Sequence, residues 1–183
     1  ADDFMPAEEN YLHALEYYET QRYHLISLGD CEELWENTLL QVIRHNQASF
    51  DAEKKFVSRG AFTKIVGNHD LDWVIDPVAP TLLKKIYGVA LPVLQGVILE
   101  TTLAGKSLRI FCTHGHQGDL QSDGNWFSKF FVTKIWAPVQ AYLRINPNTP
   151  AYDQQLKNTH NRMMYEWALQ QNNLALITGH THQ

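Results

Sequence analysis

The chain has 183 residues, of which 44% are hydrophobic, and its formal net charge is −5 at pH 7 with neutral histidines. This length and composition fit one globular domain with a sizeable core. The acidic balance offers no basic surface for nucleic acid, which is not an expected partner, and no apolar run reaches the ~20 residues that span a bilayer.

The cysteines and the chain start bear on the cellular compartment. Cys31 and Cys112 lie far apart and form no disulfide framework, which favours a reducing, cytoplasmic compartment. A peripheral position at a membrane is the alternative. The start ADDFMPAEEN is not typical of a signal peptide. Because the sequence begins with Ala1 rather than Met, we expect it to begin and end inside a longer gene product.

Hydrophobic spacing predicts alternating helices and strands in the first half of the chain. A helix is predicted for EENYLHALEYYETQR, which starts shortly after Pro6. The strands YHLISLG (23–29) and FTKIVG (62–67) follow, separated by helices over 32–46 and 51–58. Gly60 would end the second of these helices, and Gly88 would end a further short helix, TLLKKIYG.

The second half begins with a predicted hairpin. The runs 93–102 and 107–114 are separated by LAGK, and the last strand is LALITG. Between them we predict a helical insertion over about 121–172, within a single domain over 1–183. Its many aromatic side chains are either plain core, which we favour, or the cap of a cleft for an apolar or nucleotide-bearing substrate.

Four of the predicted strands end in residue types that bind metals. These are Asp30; Asn68, His69 and Asp70; His114, with His116, Gln117 and Asp119 beyond it; and His180 with His182. Since ligands of open α/β sheets bind outside the carboxyl ends of the strands, we expect these side chains to converge. Each of these residues alone is explained as an ordinary turn residue. Four such strand ends beside glycines in one chain indicate a metal-binding site.

Four motifs in this order resemble the calcineurin-like metallophosphoesterases. They are GDCEE (29–33), GNHD (67–70), THGHQGD (113–119) and GHTH (179–182), and the resemblance covers residues 25–182. GDCEELW also resembles the branch that cleaves the pyrophosphate of UDP-diacylglucosamine. The D-x-H motif with which the family begins does not occur upstream of Gly29. The resemblance implies an α/β fold, an αββα sandwich of β-sheets flanked by helices, with its first and last strands missing from this sequence.

The resemblance also implies a centre with two divalent metal ions, Mn, Fe or Zn. Asp30 would bridge both ions. Asn68, His114 and His180 would complete the second site, and His182 would belong to the first. This mixture of oxygen and nitrogen ligands suits those metals better than Ca²⁺ or a structural thiolate zinc.

The remaining roles concern catalysis and substrate. His69 is the implied catalytic histidine, and Asp70 would orient its ring, with a turn-closing carboxylate as the alternative. Glu33 would either hydrogen-bond a metal-ligating histidine or start the next helix, where its charge suits the helix dipole. The residues beyond the third strand end would contact substrate or lie in a solvated turn: His116, Gln117 and Asp119.

The implied activity is that of a hydrolase acting on a phosphomonoester, a phosphodiester or a pyrophosphate bond. Its substrate would be a small phosphate ester or a nucleotide-linked molecule. A non-catalytic metal-binding scaffold on the same fold is the alternative. The presence of His69 favours the enzyme, because scaffold relatives tend to lose this histidine.

Overall fold

A computed structural model of the protein describes residues 7–34, 37–116 and 154–179. Most of the predicted aromatic insertion, with Gln117 and Asp119, lies outside these residues, as do His180 and His182. The chain folds into two compact units, Ala1–Gln95 and Gly96–Gln183. The single-domain prediction stays a prediction.

The first unit contains a parallel sheet with helical connections. Strands β1 (Leu25–Ser27), β2 (Phe62–Ile65) and β3 (Val93–Leu94) lie in the order β1-β2-β3. Parallel neighbours need crossover connections, which helices usually supply. The helices are α1 (Glu8–Thr20), α2 (Leu39–His45), α3 (Gln47–Ser58), α4 (Asp72–Ile75) and α5 (Ala79–Tyr87).

One apolar core joins the helices to this sheet. Its buried members come from each of these five helices and from β2, and include Leu15, Val42, Phe50, Phe56, Phe62, Trp73, Leu83 and Tyr87. Tyr87 packs edge-on against Phe50, with 6.1 Å between the ring centroids. Gly88 ends α5 in the left-handed conformation (φ 83°), as predicted, which glycine adopts without a Cβ clash. The core therefore fixes the sheet whose strand ends carry the predicted site residues.

Helix α2 begins seven residues later than the predicted residue 32. Thr38 and Gln41 form a capping box: the Gln41 N–H donates to Thr38 Oγ1, and the Thr38 N–H donates to Gln41 Oε1 at 2.9 Å. Glu32 and Leu34 are buried outside any helix. Apolar periodicity alone extended the prediction through this stretch, whereas the capping box sets the actual start.

A buried carboxylate, Glu53 of α3, lies in the first unit. It accepts hydrogen bonds from Tyr11 Oη at 3.0 Å and from Tyr87 Oη at 2.6 Å. Burial raises the pKa of Glu53, and the nearby charge of Glu32 adds to this, although Lys64 opposes it. The folded protein therefore holds a proton on Glu53 more tightly than the unfolded chain does.

Glu53→Gln is expected to remove a pH dependence from the stability. Because the folded pKa is raised, this group stabilises the fold below its ordinary pKa, and that contribution is lost as pH rises through the folded value. The free energy of unfolding of wild type should fall relative to Glu53→Gln as pH rises from 4 to 8. Urea denaturation of both proteins across that range measures the difference, and a constant difference would contradict the expectation.

The second unit contains a hairpin, a further strand and a helix. Strand β4 (Gly96–Leu103) pairs antiparallel with β5 (Lys106–Thr113), and β6 (Leu174–Thr178) pairs parallel with β5. Ala104 and Gly105 turn the hairpin, both with positive φ, as a type I′ turn requires. Helix α6 (Gln154–Leu169) buries Met164 and Trp167 against this sheet.

The α/β class is confirmed, as are the hairpin and the last strand. The two three-stranded sheets agree with the predicted fold type. Besides the start of α2, two further details differ: residues 93–94 pair with β2 instead of lengthening the hairpin, and the four-residue helix α4 was not predicted. Among residues 7–34, 37–116 and 154–179, no helix is long and apolar enough to cross a membrane.

Candidate functional site

Two loops of the first unit carry five of the predicted site residues, namely Asp30, Glu33, Asn68, His69 and Asp70. The Asp30 loop (residues 28–34) follows β1, and the His69 loop (residues 66–71) follows the neighbouring strand β2. Gly29 has a φ of +90°, and a Cβ there would overlap the backbone of Gly67. A side chain at Gly67 would in turn overlap the Asp30 carboxylate. The two glycines therefore permit the loops to touch.

Asp30 is tied to the opposite loop by its side chain. Its Oδ1 accepts a hydrogen bond from the His69 backbone N–H at 2.8 Å. Its backbone is left-handed, with a φ of 53°, a conformation that aspartate tolerates better than most residues. A second bond between the loops runs from the Leu34 N–H to the His69 carbonyl at 3.0 Å. Asp30 and the GNHD motif therefore lie side by side.

The His69 ring pairs with Glu33. The distance from His69 Nδ1 to Glu33 Oε2 is 2.6 Å, and the two side chains are 32% and 30% exposed. A carboxylate on one ring nitrogen fixes the orientation and the tautomer of an imidazole, which directs the chemistry to the other nitrogen. The interpretation of Glu33 as the start of the next helix is wrong, because α2 begins at Leu39 with Thr38 as its N-cap. The histidine partner observed for Glu33 is His69, which is not one of the predicted metal ligands.

Asp70 has a different role from the predicted one. It is fully buried, and its two oxygens accept the backbone N–H groups of Gly67 at 2.6 Å and of Cys31 at 3.2 Å. Burial, reinforced by the charge of Glu32, raises the pKa of Asp70 to about 6. The prediction that Asp70 orients the His69 ring is wrong, since Glu33 does this. Asp70 closes the turn, as the alternative interpretation held.

A buried ion pair lies beneath the two loops. Lys64 Nζ is 2.9 Å from both oxygens of Glu32, and the Trp73 indole N–H donates to Glu32 Oε2 at 2.9 Å. Burial alone would lower the pKa of Lys64, but the charge of Glu32 acts together with those of Cys31, Glu53 and Asp70, and the pKa lies above its ordinary value. This group was not predicted from the sequence. Its one signal was a lysine inside the apolar strand FTKIV.

The second unit places His114 at the end of β5. The His114 side chain is buried, and its carbonyl accepts the Gly179 N–H at 3.1 Å. A Cβ at Gly179 would lie 3.4 Å from His114 Nδ1. The His116 ring lies 5.2 Å from the His114 ring between centroids. Thus the third motif adjoins Gly179, the first residue of GHTH.

The family model for calcineurin-like phosphoesterases matches residues 8–183. The chain belongs to this family. The match confirms the resemblance to the superfamily but does not support the UDP-diacylglucosamine branch. No curated protein and no solved structure is significantly similar to the chain. Family membership implies hydrolysis of phosphate esters with the help of divalent metal ions.

The family's metal chemistry can be compared with the donors in the structure. In the described part of the chain, no three His, Cys, Asp or Glu side chains gather into a metal-holding group. The predicted ligands that are described are a carboxylate, a carboxamide and an imidazole: Asp30, Asn68 and His114. Asn68 and His114 are buried polar side chains, 7% and 2% exposed, at strand ends. This donor chemistry fits a divalent ion with oxygen and nitrogen ligands.

Proposed function

We propose that the protein hydrolyses a small phosphate ester through a centre that holds two divalent metal ions. The observation that carries this proposal is the pairing of His69 with Glu33 at 2.6 Å, beside a carboxylate, Asp30, bonded to the His69 backbone. The pair is partly exposed, so a substrate can reach it. A protein that only bound a partner would not need an oriented histidine at this point.

The metal ions would be held by Asp30, Asn68, His114, His180 and His182. We propose that Asp30 is shared, that Asn68, His114 and His180 serve one ion, and that His182 serves the other. Mn, Fe and Zn suit such a ligand set. Bound divalent ions supply positive charge that neutralises a phosphate ester and lowers the pKa of a water molecule.

The protein's own residues would position the substrate and move the proton. His69 would give a proton to the leaving oxygen from the ring nitrogen that faces away from Glu33, while the Glu33 carboxylate stabilises the protonated ring. Asp70 would act only by holding the turn that carries His69. At the rim, three polar side chains would contact the substrate: His116, Gln117 and Asp119.

The substrate would carry a phosphomonoester, a phosphodiester or a pyrophosphate bond, in a small or nucleotide-linked molecule of the cytoplasm. The catalytic proposal is favoured over a metal-binding scaffold by the orientation of His69. The family match supports hydrolysis of phosphate esters in general and does not choose between these bond types. A comparison of hydrolysis rates for the three classes is therefore part of the test.

Removal and return of metal tests this function in the full-length protein. After treatment with a chelator, the protein should hydrolyse none of three probes: p-nitrophenyl phosphate, bis-p-nitrophenyl phosphate and a nucleotide sugar with a pyrophosphate. Addition of Mn²⁺ should restore hydrolysis of at least one. No hydrolysis of any probe with Mn²⁺, Fe²⁺ or Zn²⁺ would contradict the proposal.

A further inference from the structure

The buried group beneath the two loops consists of Lys64, Glu32 and Trp73, here named the Lys64 assembly. These side chains are almost inaccessible, with exposures of 1%, 4% and 2% for Lys64, Glu32 and Trp73. Lys64 Nζ contacts both Glu32 oxygens and lies 5.9 Å from the centroid of the Trp73 ring. The indole N–H adds a third bond to Glu32. Glu32 is therefore held from two directions.

The assembly connects three segments around the proposed site. Lys64 lies on β2, and Glu32 lies two residues after Asp30 in the Asp30 loop. Trp73 lies four residues after His69 in α4, the helix that directly follows the His69 loop. The bonds of Glu32 thus fix the Asp30 loop both to the strand beneath it and to the helix that follows the His69 loop.

Stability alone does not account for such an assembly. Burial of two charges costs free energy of desolvation, and replacement of a buried ion pair by apolar residues of similar volume is often neutral or stabilising. An ion pair with directional bonds differs from apolar packing because it defines the distances between the groups that it joins. Here those groups carry the proposed metal ligand and the proposed proton donor.

We propose that the Lys64 assembly is a positioning device, which holds Asp30 and His69 in the relative placement that the reaction needs. This inference rests on the proposed function for its catalytic consequence. Its structural consequence is independent of activity. The bonds between the loops, from the His69 N–H to Asp30 and from the Leu34 N–H to the His69 carbonyl, persist because the assembly holds the loops together.

The test replaces the ion pair by apolar side chains of similar size, as Glu32→Met/Lys64→Met. The full-length protein should still fold, because both charges are removed and neither is left buried without its partner. The thioether introduced in place of Glu32 can also weakly accept the hydrogen bond of the Trp73 indole N–H. With Mn²⁺ and p-nitrophenyl phosphate or bis-p-nitrophenyl phosphate, kcat should fall by about 10- to 100-fold with KM unchanged, the usual result of a small misplacement. Hydrogen exchange at the His69 and Leu34 amides should quicken by about tenfold or more, while α3 stays protected.

Two further variants sharpen this test. Glu19→Gln removes one partner of another ion pair of the same unit, with Arg59 at 3.4 Å, which does not involve the Lys64 assembly, so its kcat and loop exchange should match wild type. Trp73→Phe removes one donor to Glu32 and keeps the aromatic ring. Trp73→Phe should lower kcat and speed loop exchange as the double variant does, but by a smaller factor. It therefore tests the proposal even if the double variant does not fold.

The outcomes separate this proposal from the proposed function. Unchanged kcat and unchanged exchange at His69 and Leu34 in a folded variant would overturn the positioning role. Faster loop exchange in the variant, together with a wild-type protein inactive on every ester, would support the positioning role and refute the proposed function. A loss of protection throughout α3 in Trp73→Phe would show general destabilisation and would also overturn the proposal.

Discussion

His69→Ala is expected to reduce turnover of the full-length protein by roughly 10²–10⁴-fold, the usual contribution of a general acid, and to leave its metal content unchanged. The reason is the position of the ring: its Nδ1 is engaged by Glu33, and it is partly exposed. Steady-state kinetics with p-nitrophenyl phosphate and metal analysis by mass spectrometry measure the two quantities.

Glu33→Gln is the matched variant, because it keeps the shape of the side chain and removes the charge that orients the ring. It should also lower turnover, and its combination with His69→Ala should cost no more than His69→Ala alone, since the two residues act as one unit. If His69→Ala loses metal, His69 is a ligand and the proposed role is wrong. Additive losses in the double variant would show that Glu33 acts separately from His69.

His180→Ala should abolish the tight metal site of the 183-residue chain, whereas His182→Ala should leave it nearly intact. In an extended segment, two histidines two residues apart would lie on one side of the backbone, but we propose that each serves a different ion. In this sequence the second site has its four proposed ligands, namely Asp30, Asn68, His114 and His180. The first has only Asp30 and His182, because no D-x-H motif occurs upstream of Gly29.

Calorimetric titration of Mn²⁺ or Zn²⁺ into the 183-residue chain and the two variants measures this difference. The unsubstituted chain should bind one ion tightly and a second one weakly or not at all. Equal loss of the tight site in both variants would mean that the two histidines chelate a single ion together. The assignment of His180 and His182 to separate ions would then be wrong.

The sequence predicted the strand ends well because that signal is local. Each strand is a short apolar run that stops at a glycine followed or preceded by a polar side chain, and β1, β2, β5 and β6 all appear where these runs lie. The neighbouring positions of Asp30 and the GNHD motif then follow from parallel pairing of β1 with β2. The apolar runs and the glycines that end them therefore suffice to place Asp30 beside the GNHD motif.

The partners of individual side chains could not be read in the same way. Asp70 is adjacent to His69 in sequence, yet its oxygens accept hydrogen bonds from two backbone N–H groups. The His69 ring pairs instead with Glu33, which lies 36 residues away along the chain. Lys64 and Glu32 meet only after β2 and the Asp30 loop pack together. Such contacts depend on side-chain direction and burial, which spacing along the chain does not determine.

The most direct test of the metal-dependent account is the anomalous scattering of Mn²⁺ in crystals of the full-length protein. Data collected near the manganese absorption edge should show two peaks about 3.5–4 Å apart, the separation typical of two-metal sites. The Asp30 carboxylate should lie between the peaks, with the side chains of Asn68, His114 and His180 around one of them. A single peak, or peaks away from Asp30, would contradict the dinuclear centre proposed for this protein.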